Sequence, residues 1–404
     1  MTKKARNTKR KGTTRKSASR RKAADKAPRM SSDRFVLWSV AALAAIGVVA
    51  VYSAITFLAV SRAGMAPESF LYRHLIRTGL ALAAMVLISR IDYHRVAAWA
   101  KPLLLISLGL LVLVQITGAT TFGAERWLRI GSLSIQPSDI ARVALVLHVG
   151  FLLASKQLYI DSLERSFLPL LFWIIPTVLL IGVEDLSTAA MLLSTMLVMC
   201  FVGRTRLIHI ASLGVALAAC GIAFLSISPE RTARVTSWVE TGIFASADEG
   251  DDVSDEGYQA RQARIAFAMG GLTGRGPGKS VQRDFLPAPY NDFIFAIVGE
   301  EYGLVGALSL LFLFCVLLFR GFMRIARAAT DPLGLFLAVG ITTMIALYGF
   351  VNAGVACSLF PVTGLPMPFV SYGGTSLLAS GVLMGVLLNI SRASVDVAFH
   401  RAAR

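Results

Sequence analysis

The feature that most constrains this chain is a series of ten long apolar segments spread over nearly its whole length. Hydrophobic residues make up 55% of the 404 residues and charged residues only 16%, which excludes an ordinary water-soluble domain. A helix needs roughly 20 apolar residues to cross the hydrocarbon core of a bilayer. The sequence therefore predicts an all-α polytopic membrane protein with about ten transmembrane helices. The segments are 35–60, 71–89, 102–119, 138–154, 167–183, 186–202, 207–227, 293–319, 333–356 and 372–388.

The distribution of Lys and Arg predicts the orientation of these helices. Residues 1–34 carry 14 of the 40 Lys and Arg residues and two acids, and such cations mark the cytoplasmic side. The loops 63–69, 184–185 and 358–371 contain no Lys or Arg. We therefore predict that both termini are cytoplasmic. A large extracytoplasmic loop, 228–292, then joins the seventh and eighth helices.

This layout predicts three regions. Residues 1–34 form a basic, disordered cytoplasmic tail, residues 35–392 form the ten-helix membrane domain, and residues 393–404 form a second cytoplasmic tail.

The first tail has no aromatic residue and adjoins a membrane helix, so we expect it to contact anionic lipid rather than nucleic acid. The four cysteines lie in apolar segments or, for Cys357, directly after one, without a CxxC spacing, which favours packing roles over disulfides or metal binding.

The segment 271–292, GLTGRGPGKSVQRDFLPAPYND, is the most informative local feature, and it ends immediately before an apolar segment. Its GRGPGKS motif is not a Walker A loop, because Thr273 stands where that motif needs Gly. The glycines favour positive φ angles and close backbone approach. The cations of the segment suit a pyrophosphate group. They are Arg275, Lys279 and Arg283.

Asp292, the last residue of that segment, has two interpretations. Aspartate is a favoured N-cap, and a helix predicted to start at Phe293 would use one. Taken alone, this is the simpler interpretation. The second interpretation is a general base. A low-dielectric surrounding raises the pKa of a carboxyl group and nearby cations lower it, and the balance of the two can suit a group that removes a proton.

Acidic residues inside the apolar segments are further candidates, because a charge in the membrane is costly and commonly functional. Asp139 precedes Arg142 by three residues, so the two share a helix face and can form a structural ion pair. Asp185, and one or both of Glu300 and Glu301, are expected to face a polar interior.

Two further patterns concern helix packing. Helical spacing resumes at 257–272, with Ile265 and Met269 on one face. This predicts either an amphipathic helix at the outer membrane interface or a surface-packed helix that closes the loop. In the next segment, Gly303, with Gly299 and Gly306, predicts a small face for close helix contact.

Four blocks carry a resemblance to a known family. RWLRIGSLSIQPSDIAR (126–142), DLST (185–188), the stretch 257–306 and FPVTGLPMPFVSYGGTSLL (360–378) resemble the corresponding blocks of the SEDS (shape, elongation, division and sporulation) proteins, the FtsW/RodA group. The resemblance covers residues 35–392.

This resemblance implies an inverting peptidoglycan glycosyltransferase that polymerises lipid II on the outer face of the bacterial cytoplasmic membrane. Its partners would be a class B penicillin-binding protein and other divisome or elongasome membrane proteins. The long basic tail and the ending LLNISR favour the division (FtsW) type. Asp292 matches the family's essential loop aspartate, the implied general base. The resemblance leaves open whether Mg²⁺ or Mn²⁺ assists at the pyrophosphate.

The matching blocks also imply substrate contacts and a polar cavity. The implied substrate-binding residues are Arg126, Gln136, Ser138, Tyr258, Gln259, Arg275, Lys279, Ser280, Arg283, Ser371 and Tyr372. The implied cavity residues are Asp139, Arg142, Asp185 and Glu300. The chain departs from the family pattern at Asp139 and Arg142, which replace Glu and Lys. It also departs at Ala288 and Tyr290, which replace Glu and His, so neither of those two family side chains can be required here.

Two other functions stay open. Membrane carboxylates and polar helix ends would also suit an ion-coupled transporter that flips lipid II, although the sequence has no inverted repeat. A scaffold that recruits a crosslinking enzyme is the third alternative. Loss of function on changing Asp292 favours the polymerase, loss on changing Glu300 or Asp185 favours the transporter, and tolerance of all three favours the scaffold.

Overall fold

A computed structural model describes residues 32–61, 67–117, 127–130, 133–227, 229–241 and 255–402. Within these residues the chain forms thirteen α-helices and one two-stranded antiparallel hairpin. The helices are α1 (Arg34–Ser61), α2 (Pro67–Ile88), α3 (Tyr93–Ala98), α4 (Ala100–Thr117), α5 (Pro137–Ser155), α6 (Leu168–Glu184), α7 (Leu186–Val202), α8 (Leu207–Ile227), α9 (Pro229–Thr241), α10 (Asp255–Gly270), α11 (Ile294–Phe319), α12 (Pro332–Ala356) and α13 (Thr375–Ala402). The strands are β1 (Leu128–Ile130) and β2 (Leu133–Ile135).

The prediction of a polytopic helical membrane protein is confirmed. Eight of the described helices are long and apolar enough to cross a membrane, and α4 and α7 are shorter apolar helices. These ten helices coincide with the ten apolar segments of the sequence. The other three helices, α3, α9 and α10, and the hairpin lie between them, and residues 1–31 lie outside the described part of the chain.

Helices α5 and α12 form the centre of the bundle. About three quarters of each is buried inside the protein, 72% for α5 and 78% for α12. Helix α8 lies at the periphery, with only 6% of its most apolar stretch buried. Apolar side chains continue across the α5–α12 contact, where Gly150 leaves room for Leu337. The bundle is therefore organised around one central pair of helices.

Helices α2 and α13 pack closely because two glycines face α2. A β-carbon at Gly381 would lie 2.3 Å from the carbonyl oxygen of Ala81, and one at Gly385 would lie 2.7 Å from that of Met85. Such a small-xxx-small spacing permits close backbone contact between membrane helices. The contact fixes the level of α2 relative to the loop that precedes α13.

Helix α11 is broken at Gly303, whose φ of 66° and ψ of −162° are not helical. Gly303 therefore does more than contribute the small packing face that its spacing predicts. A β-carbon there would lie 2.4 Å from the amide nitrogen of Gly274, and this combination of φ and ψ is open essentially only to glycine. The break separates a half-helix, 294–302, from the rest of α11.

Polar contacts tie together the end of the bundle opposite this half-helix. Arg320 donates from Nε at 2.9 Å to the carboxylate of Asp33 and also contacts it through Nη2. The Tyr93 hydroxyl donates to Asp331, and Asn389 accepts from the amide of Tyr93 at 3.0 Å. These contacts join α1 to the end of α11, and α3 to α12 and α13, at a distance from the candidate site.

Candidate functional site

The backbone at Asp292 is held by a buried amide of the central helix. Asn352 of α12 donates from Nδ2 to the carbonyl oxygen of Asp292 at 3.0 Å and to that of Leu365 at 2.7 Å. Its side chain is almost fully buried, so both bonds are shielded from competing water. One side chain therefore positions the start of α11 and the loop before α13 together.

A second set of contacts joins these two segments. Ser371 donates its hydroxyl to the carbonyl oxygen of Asn291 at 2.6 Å. The amide of Tyr372 donates to the carbonyl oxygen of Tyr290 at 2.9 Å, and the two tyrosine rings meet edge to face with centroids 5.6 Å apart. Ser371 and Tyr372, both implied substrate contacts, thus also support the segment that ends in Asp292.

The carboxylate of Asp292 does not occupy the capping position of α11. The helix begins at Ile294 and its N-cap position is Phe293, so the capping interpretation of Asp292 is not supported. A β-carbon added at Gly364 would lie 3.8 Å from Oδ2 of Asp292. The carboxylate therefore lies beside the turn of the PVTG motif, where Gly364 has a φ of 71°.

The glycine-rich loop, residues 271–283, fills the break in α11. Its backbone supplies partners for helix groups that lose their own at Gly303. Before the break, loop amides donate to helix carbonyls: Arg275 to Glu300 (3.0 Å) and Gly276 to Glu301 (2.9 Å). After the break, helix amides donate to loop carbonyls: Leu304 to Gly271 (2.9 Å) and Val305 to Leu272 (3.2 Å). Unsatisfied backbone groups are costly in a membrane, so the loop acts as a splint across the break.

Glu300 fastens the end of this loop. Its carboxylate is fully buried, and it accepts three hydrogen bonds from consecutive residues. These come from the Ser280 hydroxyl (2.5 Å), the Val281 amide (2.9 Å) and the Gln282 amide (3.1 Å). Arg275 lies 3.6 Å away as an ion-pair partner. Ser280 and Glu300, expected to contact substrate and a polar cavity respectively, are engaged with each other.

Glu301 and Arg283 connect the same loop to α1. Glu301 accepts from the hydroxyl of Ser53, and Arg283 donates to the carbonyl oxygen of Ser53 at 3.0 Å. Arg283 also lies 3.5 Å from Asp284. Burial raises the pKa of the Asp284 carboxyl, while Arg283 opposes that shift. Among the predicted loop cations, Lys279 is exposed.

Asp139 and Arg142 form the expected ion pair, with 3.1 Å between Oδ1 and Nη2. Asp139 also accepts from the Thr375 hydroxyl at 2.5 Å, and Arg142 donates to the carbonyl oxygen of Ser376 at 3.2 Å. The guanidinium carbon of Arg142 lies 4.9 Å from the centre of the Tyr348 ring. The pair therefore anchors the start of α13 to the buried start of α5.

The other predicted residues fall in three places. The amide of Gln136 donates to the Thr375 hydroxyl at 3.3 Å, and Ser138 is buried in the first turn of α5. Asp185 caps α7 by accepting from the Ser187 amide at 3.0 Å and the Thr188 amide at 3.1 Å. Tyr258 and Gln259 lie on α10, with Tyr258 exposed. Arg126 lies outside the described residues.

Helix α10 corresponds to the segment with two interpretations. Small residues, Ala260, Ala263 and Ala266, form its buried face, and a β-carbon at Gly270 would lie 2.0 Å from the carbonyl oxygen of Gly299. Met269, on the expected apolar face, is 46% exposed. The helix is thus packed on α11 through its small residues and through Phe267, whose ring lies 5.5 Å from that of Phe295, while Met269 faces outward.

Comparison with known proteins identifies the group to which this arrangement belongs. A family model described as a cell cycle protein of the FtsW, RodA and SpoVE group matches residues 34–395. The chain belongs to this family. The resemblance to the SEDS proteins is therefore confirmed.

Relatives and solved structures agree with this assignment. The chain is 39% identical to stage V sporulation protein E of Bacillus subtilis, covering 87% of this chain and 94% of the relative. It is 37% identical to a probable peptidoglycan glycosyltransferase FtsW of Trichlorobacter lovleyi, covering 89% and 93%.

Two solved structures have the same fold. The first is a chain from a peptidoglycan synthase complex studied for the structural coordination of polymerization and crosslinking. It matches with a TM-score of 0.71 at 27% identity, over 90% of this chain and 99% of that one. The rod shape determining protein RodA of Thermus thermophilus matches with a TM-score of 0.64 at 28% identity, over 90% and 97%.

Sequence reasoning missed several residues that build the site in this FtsW/RodA-type chain. Asn352 was detectable as a lone amide inside an apolar segment, the pattern that marks a function or a buried hydrogen bond. His74 and Arg77 were detectable in the same way within 71–89. Ser53 had no signal, because a serine in a membrane helix commonly bonds its own backbone.

Proposed function

We propose that this protein is a peptidoglycan glycosyltransferase that polymerises lipid II, with Asp292 as the general base. The position of Asp292 carries the proposal. Its backbone is fixed by Asn352 from the central helix, and its carboxylate lies beside the turn at Gly364. A general base needs such a fixed position to reach the proton that it removes. The names of the FtsW relatives support the same activity.

The proposed reaction transfers a sugar from one lipid-linked molecule to another. Asp292 accepts the proton of the GlcNAc 4-hydroxyl on the acceptor, and that oxygen attacks the anomeric carbon of the donor. The bond between the anomeric carbon and the diphosphate oxygen breaks with its electron pair, so the lipid diphosphate leaves and the configuration inverts. Asp292 then returns its proton to solvent. One positioned carboxylate contributes a rate factor of about 10² to 10⁴ in such a step.

The leaving diphosphate needs positive charge nearby. In the glycine-rich loop, Arg275 and Lys279 are the exposed cations. A divalent ion, Mg²⁺ or Mn²⁺, is a proposed companion of the diphosphate, since Mg²⁺ commonly uses one or two carboxylates together with phosphate oxygens. Within the described residues no group of three or more metal-ligating side chains occurs. Any such ion would therefore arrive with the diphosphate and rely on few protein ligands.

The remaining substrate contacts and the setting are proposed with the same function. Tyr258 and Gln259 would contact substrate from α10, and Gln136 and Ser138 from the hairpin side, with Arg126. The active site would face the outside of the bacterial cytoplasmic membrane, with residues 1–34 and 393–404 in the cytoplasm and the basic tail on anionic lipid.

We also propose a partner and a biological role. A class B penicillin-binding protein would crosslink the glycan strands, an assignment that the synthase complex with the same fold supports. Other divisome proteins would complete the assembly. A role in division rather than elongation is favoured by the FtsW and sporulation relatives at 33 to 39% identity.

The test is polymerisation of purified lipid II by the full-length protein with its cognate penicillin-binding protein, whose crosslinking site is inactivated. Asp292→Asn should abolish glycan synthesis while the protein stays folded and bound to its partner. Asp284→Asn is a matched control, a carboxylate in the same loop, and should retain activity within about threefold. Equal product from Asp292→Asn and wild type would contradict the proposal.

The transporter alternative receives less support from the contacts. Glu300 and Asp185, the carboxylates that it would use, hold a loop and cap a helix. If wild type makes no glycan but moves fluorescent lipid II across proteoliposome membranes, and Asp292→Asn does so equally, transport replaces polymerisation. If neither activity occurs while partner binding persists, the scaffold alternative replaces both.

A further inference from the structure

Arg77 is a cation in the middle of a membrane helix. It lies ten residues into α2, or roughly 15 Å along the axis, within the apolar span Glu68–Ile88. No ion pair joins it to any carboxylate among the described residues. Its guanidinium carbon lies 4.9 Å from the centre of the Tyr372 ring. A charge at this depth is costly without an anionic partner and marks a functional site.

His74, one turn earlier on α2, is a second polar group without a protein partner. Its side chain is completely buried, and neither Nδ1 nor Nε2 has a hydrogen-bond partner in the described part of the chain. Its ring centroid lies 5.5 Å from that of Tyr372. Burying an imidazole without hydrogen bonds is unfavourable. His74 and Arg77 therefore meet at the same tyrosine ring, and both lack a polar partner.

This pair lies close to the proposed catalytic carboxylate. The Tyr372 ring that contacts both residues also meets the Tyr290 ring, and the Tyr372 amide is bonded to the Tyr290 carbonyl. Asp292 is two residues from Tyr290, which limits the separation of their α-carbons to about 7 Å. A ligand at Arg77 would thus extend toward Asp292 across two tyrosine rings.

Two of the three cations of the glycine-rich loop already have partners in the protein. Arg275 is an ion-pair partner of Glu300, and Arg283 donates to Ser53. Both guanidinium groups are therefore partly neutralised or engaged. Arg77 has neither constraint, because a tyrosine face attracts a cation without cancelling its charge.

We propose that His74 and Arg77, with Arg77 held over Tyr372, form a binding site for the diphosphate group of a polyprenyl-linked molecule. The inference rests on the proposed function for naming the ligand as lipid-linked. Guanidinium binds phosphate oxygens through two parallel hydrogen bonds, and the imidazole adds a donor. The depth of Arg77 within the apolar span favours a diphosphate that carries a membrane-embedded chain over a free one.

The test measures binding apart from catalysis. Full-length protein in lipid nanodiscs is titrated with undecaprenyl diphosphate, and bound lipid is counted by native mass spectrometry. Arg77→Met should weaken binding at least about tenfold, which corresponds to about 1.4 kcal/mol. Arg73→Met, an exposed arginine one turn away that lies over Phe70, should bind within twofold of wild type. Equal binding by Arg77→Met and wild type would overturn the proposal.

Competing probes decide the chemical class of the ligand. Undecaprenol, which lacks phosphate, should not displace the bound lipid, and inorganic diphosphate should displace it only at far higher concentration. Displacement by inorganic diphosphate at equal concentration would replace the lipid-linked ligand with a free anion. Displacement by undecaprenol would show a site for the chain rather than for the charge, and would overturn the proposal.

Two further variants keep the result interpretable. If Arg77→Met does not fold, Tyr372→Leu releases the guanidinium from its ring and should also weaken binding. Asp292→Asn should bind undecaprenyl diphosphate as wild type does. Normal binding by Arg77→Met together with an inactive Asp292→Asn would refute the anion site and leave the glycosyltransferase intact. Weakened binding by Arg77→Met, in a protein whose wild type makes no glycan, would support the anion site and refute the glycosyltransferase.

Discussion

Glu300 and Asp292 lie eight residues apart on one stretch of chain, yet their surroundings differ in kind. Glu300 is fully buried and accepts hydrogen bonds from three consecutive residues of the glycine-rich loop. Asp292 is held instead through its main chain, by Asn352, while its carboxylate lies beside a glycine turn. The carboxylate of Glu300 is committed to holding the loop through its hydrogen bonds, whereas Asp292, whose main chain is fixed by Asn352, can present its side chain to a ligand.

The difference shows that burial and acidity in a membrane do not by themselves identify the reacting group. Intramembrane acids are functional candidates by default, and that rule selects Glu300 before Asp292. The division of labour between the two residues is visible only when the partners of each carboxylate are known. Substitutions at the two regions should therefore separate stability from catalysis.

The largest expected effect is on stability at Glu300. Glu300→Ala leaves the Ser280 hydroxyl and the Val281 and Gln282 amides without their acceptor, and each buried unsatisfied donor costs about 1 to 3 kcal/mol. We expect the protein in detergent to unfold at a markedly lower temperature, with activity lost along with the fold. Glu164→Ala, an exposed acid, is the control and should melt as wild type does. A normal melting temperature for Glu300→Ala would break the comparison.

The break in α11 provides the next effect. Gly303→Ala would place a β-carbon 2.4 Å from a backbone nitrogen at a φ of 66°, so either the half-helix or the loop must move. We expect a loss of several kcal/mol in the free energy of unfolding. Gly271→Ala also has a positive φ, but its β-carbon would meet nothing within 4 Å, so it should cost about 1 kcal/mol. Equal melting temperatures for the two variants would contradict the splint.

Asn352 tests the Asp292 side of the comparison. Asn352→Leu removes the donor to the Asp292 and Leu365 carbonyls, so we expect kcat for polymerisation to fall about 10- to 100-fold with little change in KM. Asn389→Leu is the control, because Asn389 bridges Ser89 and Tyr93 at the other end of the bundle. It should lower the melting temperature by a similar amount and leave kcat nearly unchanged. A kcat loss of the same size in both variants would indicate a general packing effect.

The smallest effect concerns pH at that other end. Partial burial lowers the pKa of His94. Its hydrogen bond to Asp92 and the charge of Asp331 together raise that pKa by more than burial lowers it, so the net pKa is raised. Because the folded-state pKa exceeds the unfolded one, His94 stabilises the protein fully below about pH 6.5. That contribution is lost as the pH rises through the folded value. The melting temperature of wild type relative to His94→Gln should decline across this interval, and a flat difference would exclude the effect.

The spans could be predicted from sequence because crossing a bilayer depends on local apolar length, and all ten apolar segments are helices. The break in α11 could not, because Gly303 is one of 34 glycines and only its dihedral angles distinguish it. The Asp139–Arg142 pair followed from helical spacing. The link from Glu301 to Ser53 did not, because it joins residues 248 positions apart.

The position of the candidate site was partly predictable. Asp292 stood out because a basic loop meets an apolar segment there, and the resemblance to a known family supplied its implied role. The contacts of Asp292 with α12 depend on how the loop before α13 folds back, which no local pattern encodes. Arg77 and His74 could have been singled out as polar residues in an apolar segment, but their shared contact with Tyr372 required the packing of α2 on α13.

The splint across α11 has a consequence for how the chain is made. The glycine-rich loop leaves the ribosome before Leu304, whose amide it will engage. Until that loop has folded back, the backbone groups on either side of Gly303 lack the hydrogen-bond partners that the loop supplies. Unpaired backbone groups are costly in lipid. We therefore expect insertion of the eighth span to depend on the folding of the loop that precedes it. A chain with a faulty loop would fail at the stage of membrane assembly, before any substrate is met.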